Sequence, residues 1–284
     1  MAMYCFGMTS SSSSAPTTQR LRVDGGEIGF DIAGEGPLLL LVPGMGELRS
    51  SYRHLAPLLI AAGYRVATAD LRGHGDSSAG FDAYGDVPTA SDIAALIQHL
   101  GAPATIVGNS MAAGAAVIAA AEHPELVSGL VLVGPFVRIP PDQSKVAALM
   151  FRMLMARPWA VAAWNAYLPT LYSGAKPADF ETYRAVMIQA MRRPGYARSF
   201  RLTTRTDHGD AERSLARVTA PALVVMGSAD PDFADPAAEA AWIAETLHGT
   251  SVMIEDAGHY PQSQQPERTA DAILAFLREG SERA

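Results

Sequence analysis

The sequence predicts an α/β architecture: a mostly parallel central sheet, helices on both of its faces, and a helical cap inserted between two strands. Three features carry this reading. Short apolar runs alternate with longer amphipathic ones, the pattern of a parallel sheet covered by helices. Several of the short runs are continuous in Leu, Ile and Val, as strands buried on both faces require. One long stretch, residues 136–207, breaks the alternation. Met, Trp, Tyr and Arg recur there at helical spacing, with several prolines and no strand-like run. A structureless loop of that size is uncommon inside a domain, so a helical insertion is expected.

The elements follow in order. Residues 1–19 include Thr9, the serines from Ser10 to Ser14, Pro16 and Thr17. Such a segment buries too little apolar surface to fold and reads as a disordered tail. Arg20 to Asp24 and Ile28 to Ala33 form a hairpin turned at Gly25-Gly26. Leu38 to Val42 is a buried strand. Ser51 to Ala62 is helical and is closed by Gly63. Tyr64 to Ala69 is a strand, and Thr89 to Leu100 a helix with Gly101 past its end. Ala104 to Val107 is a strand that leads into the Ala-rich helix Met111 to Glu122. Leu130 to Val133 is the next strand. After the insertion come strand Ala222 to Met226, helix Pro236 to Leu247, strand Ser251 to Glu255 and closing helix Pro266 to Arg278. The core is thus 20–135 with 208–284, and the cap is 136–207.

Composition narrows the function classes. Hydrophobic residues make up 49% of the chain and the formal net charge is −7, with no basic block. That balance argues against a nucleic-acid partner. No apolar run approaches the roughly 18 residues of a membrane helix, and the N-terminus lacks the pattern of a signal peptide. A cytoplasmic protein with no membrane partner is expected. Cys5 is the single cysteine, so no intramolecular disulfide can form. It lies in the tail and reads as a bystander.

The chemistry concentrates where strands end. Ala104-Thr105-Ile106-Val107-Gly108-Asn109-Ser110-Met111-Ala112-Ala113-Gly114 carries a buried strand through Gly-x-Ser directly into a small-residue helix. A serine at so sharp a turn has its hydroxyl exposed, and small neighbours let strand and helix approach. The usual pattern is Gly-x-Ser-x-Gly. Here the fifth position is Ala112, and the glycine comes at Gly114. Taken alone, the motif could equally be an ordinary helix cap.

Three further segments give it meaning. Leu38 to Val42 runs into Pro43-Gly44-Met45-Gly46, a glycine-rich loop suited to present a backbone N–H. Leu223 to Met226 runs into Gly227-Ser228-Ala229-Asp230, an acid just past a strand. Asp232 and Asp235 compete with it, although Asp235 before Pro236 looks like a helix cap. Val252 to Glu255 runs into Asp256-Ala257-Gly258-His259-Tyr260-Pro261. The order Ser110, Asp230, His259 is the order of nucleophile, acid and base in one hydrolytic fold.

These segments resemble the lid-containing α/β-hydrolases, a group of esterases, lactonases, carbon–carbon hydrolases and relatives. The likeness runs from about Arg20 to the C-terminus. It includes Asp70-Leu71-Arg72-Gly73-His74-Gly75-Asp76-Ser77 and Gly258-His259-Tyr260-Pro261 with Gln265-Pro266-Glu267. The resemblance implies Ser110 as nucleophile, His259 as base and Asp230 as the acid that orients it. It also implies an oxyanion hole made of the Met45 and Met111 N–H groups. Many members begin the oxyanion loop with His-Gly, whereas this chain has Pro43-Gly44, so its loop hydrogen bonding is expected to differ. Serine at position 110 points away from the aspartate-nucleophile dehalogenases and epoxide hydrolases.

The expected activity is hydrolysis of a small-to-medium hydrophobic ester or lactone, a small-molecule substrate, with no cofactor. Phe136, Met150, Met153, Met155, Trp159, Trp164, Tyr167, Met187, Met191 and Tyr260 are candidates for the pocket wall. Their ordinary role would be to pack the cap onto the core. Two alternatives stay open. One is a carbon–carbon bond hydrolase of the meta-cleavage-product type, in which Arg192, Arg193 or Arg198 clamps a carboxylate. The other is a ligand-binding receptor on the same fold with little turnover. Among the remaining histidines, His54, His99 and His248 fall on predicted helices, His123 ends one, and His74 sits in a structural loop. His208 lies where the cap rejoins the core, within reach of the pocket. None has metal-ligand spacing, so no metal is expected.

Overall fold

A computed structural model describes residues 18–139, 145–156 and 158–283. Eight strands form one sheet: β1 Gln19–Val23, β2 Gly26–Ala33, β3 Leu38–Val42, β4 Arg65–Ala69, β5 Ala104–Asn109, β6 Val127–Val133, β7 Ala222–Gly227 and β8 Thr250–Ile254. Their order is β1-β2-β4-β3-β5-β6-β7-β8. From β4 onward every pairing is parallel, while β1 and β2 join as an antiparallel edge.

The leucine run of β3 shows why the sheet forms as it does. Side chains alternate across a strand. Leu38, Leu40 and Val42 enter one cluster with α2 (Asp86–Leu100), α3 (Met111–Glu122) and α9 (Pro236–Thr246). Leu39 and Leu41 enter the other, with α1 (Leu55–Ala61) and α11 (Pro266–Arg283). Both faces are covered, so every position of the strand must be apolar.

Between β6 and β7 lie α4 Lys145–Leu154, α5 Ala160–Leu171, α6 Phe180–Met191, α7 Tyr196–Thr203 and α8 Gly209–Ser214. No strand interrupts them among the described residues. A third cluster gathers Trp164, Tyr172, Phe180, Met187 and Phe200 with Leu48 from the loop after β3 and Tyr260 from the loop after β8. This segment therefore packs onto the ends of the strands.

Two boundaries depart from expectation. The predicted tail falls mostly outside the described residues, but Gln19 opens β1 and Thr18 Oγ1 accepts a hydrogen bond from Arg49, 2.8 Å away. The predicted helix 51–62 is split into a 3₁₀ turn, Arg49–Tyr52, and α1. The split lets Arg49 reach Asp31 at 2.7 Å and Asp76 at 2.8 Å, and also pair with the buried Asp70. Cys5 lies outside the described residues.

Candidate active site

The residues predicted for the catalytic and oxyanion roles, Met45, Ser110, Met111, Asp230 and His259, all lie just past strand C-termini. Ser110 follows β5 with φ 57° and ψ −124°, a conformation that costs energy for any residue with a Cβ. Backbone bonds hold it there. Its N–H donates to Val133 O at 2.9 Å, and its carbonyl accepts from Ala113 N at 3.0 Å and Phe136 N at 3.2 Å. Close approach demands glycine on two sides. A Cβ on Gly108 would lie 2.6 Å from Ala112 O, and one on Gly44 would lie 2.7 Å from Ser110 Cβ. Ala112 is fully buried in the fifth motif position, so a methyl is tolerated there. The displaced Gly114 has its own reason: a Cβ would lie 2.7 Å from Phe136 O and 2.9 Å from Asp86 Oδ2.

Asp230 and His259 meet. His259 Nδ1 lies 2.8 Å from Asp230 Oδ2, and both residues are buried. Of the two competing acids, Asp235 caps α9 by accepting from Ala238 N at 2.9 Å. Asp232 is a genuine neighbour. Its Oδ2 is 3.7 Å from His259 Nδ1, and its Oδ1 accepts from Tyr167 OH at 2.8 Å. Burial opposes charge on His259, but the Asp230 carboxylate, its hydrogen bond, and the charges of Asp232 and Glu47 outweigh it and push the pKa up to about 9. Asp230, Asp232 and His259 also offer donor atoms within 4.8 Å of one another, a spacing that could hold a cation. In that group the imidazole and carboxylate already bond to each other.

Met45 and Met111 flank Ser110, and all three line one cavity of about 450 Å³ with His259. The loop carrying Met45 is set by His74. The Nε2 of His74 accepts from Gly46 N at 3.0 Å, while its Nδ1 donates to Arg72 O at 3.1 Å. Burial lowers the His74 pKa, which favours the neutral ring this pattern needs. Next to the loop, Glu47 is fully buried and is bonded by Tyr183 OH. Burial pushes its pKa up to about 7 against that hydrogen bond and the charges of Arg53 and His259. Sequence reasoning missed Glu47, since an acid after a glycine loop looks like a surface residue.

The pocket candidates divide. Phe136, Trp164, Tyr167 and Tyr260 line the cavity. Met150, Met153 and Trp159 do not; they are 51%, 51% and 53% exposed. They occupy the outer face of α4 and the turn after it, where Trp159 Nε1 donates to Met153 O at 3.0 Å. Met155, Met187 and Met191 are buried in the third cluster and hold α4 to α6 together instead. Ile139, Phe151, Leu171, Thr203, Thr206 and His208 complete much of the wall. The three arginines considered for a carboxylate clamp are exposed and off the cavity; Arg193 stacks on Tyr196 and bonds to Gly75 O. Arg152 is the arginine in the lining. Two histidines also depart from expectation. His248 lies past α9 with φ 52°, and His54 precedes α1 with Nε2 3.1 Å from Asp179.

No helix among the described residues is long and apolar enough to cross a membrane. The chain is 29% identical over 261 residues to the magnesium-chelatase 30 kDa subunit of Rhodobacter capsulatus, covering 86% of this chain and 87% of that one. It is 30% identical over 274 residues to the 2-(acetamidomethylene)succinate hydrolase of Mesorhizobium japonicum, covering 90% and 94%. Its fold matches the bromoperoxidase of Bacillus anthracis with a TM-score of 0.80 at 20% identity, over 92% of this chain and 100% of that one. Residues 39–272 match the model of the alpha/beta hydrolase family, and the chain belongs to that family.

Proposed function

We propose that the protein is a serine hydrolase that cleaves a small-to-medium hydrophobic ester or lactone through an acyl-enzyme. The observation that carries this reading is the strained turn that places Ser110 in one cavity with an imidazole whose far nitrogen is bonded to a buried carboxylate. In the reaction His259 takes the Ser110 proton as the oxygen attacks the carbonyl. Asp230 fixes the Nδ1–H tautomer and stabilises the imidazolium that results. The Met45 and Met111 N–H groups stabilise the developing oxyanion; among the described residues neither N–H has an acceptor. His259 then protonates the leaving oxygen, and water attacks the acyl-enzyme with His259 again as base.

Helices α4 to α7 act as a cap that keeps the acyl chain from water. Phe151, Trp164, Tyr167 and Leu171 supply an apolar wall for it. A relative described as a hydrolase at 30% identity supports hydrolysis in general.

The test is turnover of p-nitrophenyl esters of increasing acyl length by the native protein and by Ser110→Ala. The expected outcome is measurable turnover with an optimum at short to medium chains, falling by at least about ten-thousandfold in the variant. Turnover that persists in Ser110→Ala would reject the assignment.

A further inference from the structure

The cavity holds a second imidazole–carboxylate pair, which the proposed mechanism leaves unused. His208 Nδ1 lies 2.9 Å from Asp86 Oδ2. Asp86 is the first residue of α2 and is buried. His208 precedes α8 with φ 57° and is one of four non-glycine residues at positive φ among those described. Its ring stacks on Phe136, with centroids 5.6 Å apart and planes 26° apart. Phe136 in turn meets the His259 ring edge-on at 5.8 Å. The two imidazoles thus flank a single phenyl ring.

The surroundings are built to hold this pair. Gly114 lacks the Cβ that would crowd Asp86 Oδ2, so α3 can close over the carboxylate. The left-handed backbone at His208 is tolerated only where contacts over-determine it. Asp86 takes up Nδ1, which leaves Nε2 as the free ring nitrogen. Among the described residues Nε2 has no partner, and His208 lines the cavity. Beside it in the lining stand Thr203, Thr204, Thr206 and Asp207, so this stretch of wall is polar where most of the rest is apolar.

Orientation follows from the chemistry of His259. That residue must hand a proton to the leaving oxygen, so the alcohol portion of an ester lies beside it. Two cavity rings stand against His259, Tyr260 at 5.1 Å and Phe136 at 5.8 Å, and the group stacked on Phe136 is His208. We propose that His208, held by Asp86, is a specificity-determining residue that accepts a hydrogen bond from a hydroxyl on the alcohol portion of the substrate, so that preferred substrates are hydroxyalkyl esters. The inference rests on Ser110 and His259 being the hydrolytic pair. It adds a substrate class that the apolar wall does not specify. If the pair only ties α2 to α8, substrate choice will not depend on it.

The experiment compares kcat/KM for hydroxyalkyl and plain alkyl butanoates with alcohol chains of two to four carbons, followed by acid release. In the native protein one chain length should favour the hydroxyalkyl ester by about threefold to tenfold, the value of one net hydrogen bond. His208→Phe keeps a ring against Phe136 but has no nitrogen, and its ratio should fall to about one. Each ratio is taken within one variant, so a general loss of activity cancels. Asp86→Asn provides a second variant should the first fold poorly. Its amide oxygen can still accept the Nδ1–H without the charge, and its ratio should be intermediate. A native ratio near one at every length overturns the proposal without any variant, as does a preference that survives His208→Phe. Alkyl esters hydrolysed without preference would break this inference alone. No Ser110-dependent turnover of either series would break the hydrolase reading, and this one with it.

Discussion

The strand ends and the helices α4 to α7 build one cavity by different means. At the strand ends, position is set by backbone. Ser110 is bonded through its own N–H and carbonyl to Val133, Ala113 and Phe136, glycine at 44 lets the loop after β3 close against it, and glycine at 108 lets β5 close against the start of α3. In the helices, position is set by side chains. Trp164 Nε1 donates to Gly46 O at 3.2 Å, Tyr167 OH to Asp232 at 2.8 Å, and Tyr183 OH to Glu47. Two backbone links are exceptions, from His259 N to Leu171 O at 2.8 Å and from Ala175 N to Asp256 O at 3.0 Å. The difference teaches that the proposed chemistry sits where backbone bonds fix position, while the wall proposed for the acyl chain sits where side-chain packing can re-shape it.

If that division holds, the largest effects come from the strand-end half. Asp230→Asn is expected to lower kcat by about a thousandfold to ten-thousandfold, because the amide favours the wrong imidazole tautomer. The pH profile should move as well. In the native protein the base must be neutral, so kcat/KM should rise with pH through about 9, where the neighbouring carboxylates hold the His259 pKa. Removing the Asp230 charge should shift that rising limb to lower pH. The stability linked to charged His259 has the matching sign. It is fully present below the ordinary histidine value near 6.5 and is lost as pH rises through about 9. An unmoved limb would mean that Asp232, 3.7 Å away, supplies the charge instead.

Gly44→Ala probes the same half more gently. The added methyl would lie 2.7 Å from Ser110 Cβ and 3.2 Å from its Oγ. A displacement of a few tenths of an ångström to about 1 Å in the nucleophile is expected to cost about a hundredfold in kcat. The melting temperature should change little by comparison, since the loop itself lies outside a regular element. A variant with full activity would show that the strand ends are softer than their backbone bonding implies.

The same division explains what the sequence made legible. The nucleophile turn, the acid and the histidine each lie within a few residues of a buried apolar run, so a local pattern places them. Met111 to Glu122 is read to its ends because Ser110 and His123 both break helical geometry. The wall of the cavity was not legible in this way. Met150 and Phe151 are adjacent in sequence, yet Phe151 lines the cavity and Met150 faces solvent. Which face of α4 turns inward depends on how the helix docks, and a Met-rich helix has apolar residues on more than one face. Asp86 was hidden for another reason. It starts a helix, where an acid is expected in any case, and its partner His208 is 122 positions away.

Two tryptophans on the helical segment sharpen the comparison at its small end. Trp164 is 2% exposed, lines the cavity, and touches Tyr167 and Phe200. Trp159, one and a half turns earlier, is 53% exposed. Trp164→Ala should cost about 3–5 kcal/mol of stability through the cavity it leaves. In the folded variant, the ester panel should shift its optimum toward longer chains by roughly the space the indole vacates, with kcat for the best substrate changed by about tenfold or less. Trp159→Ala should stay within about 0.5 kcal/mol of the native protein and leave the optimum where it was. Thermal melts and the ester panel read both variants. Equal shifts in the two would mean that the helical segment rearranges as a unit when either ring is lost. Selectivity would then be a property of how the whole segment docks on the strand ends, rather than of the side chains that face Ser110.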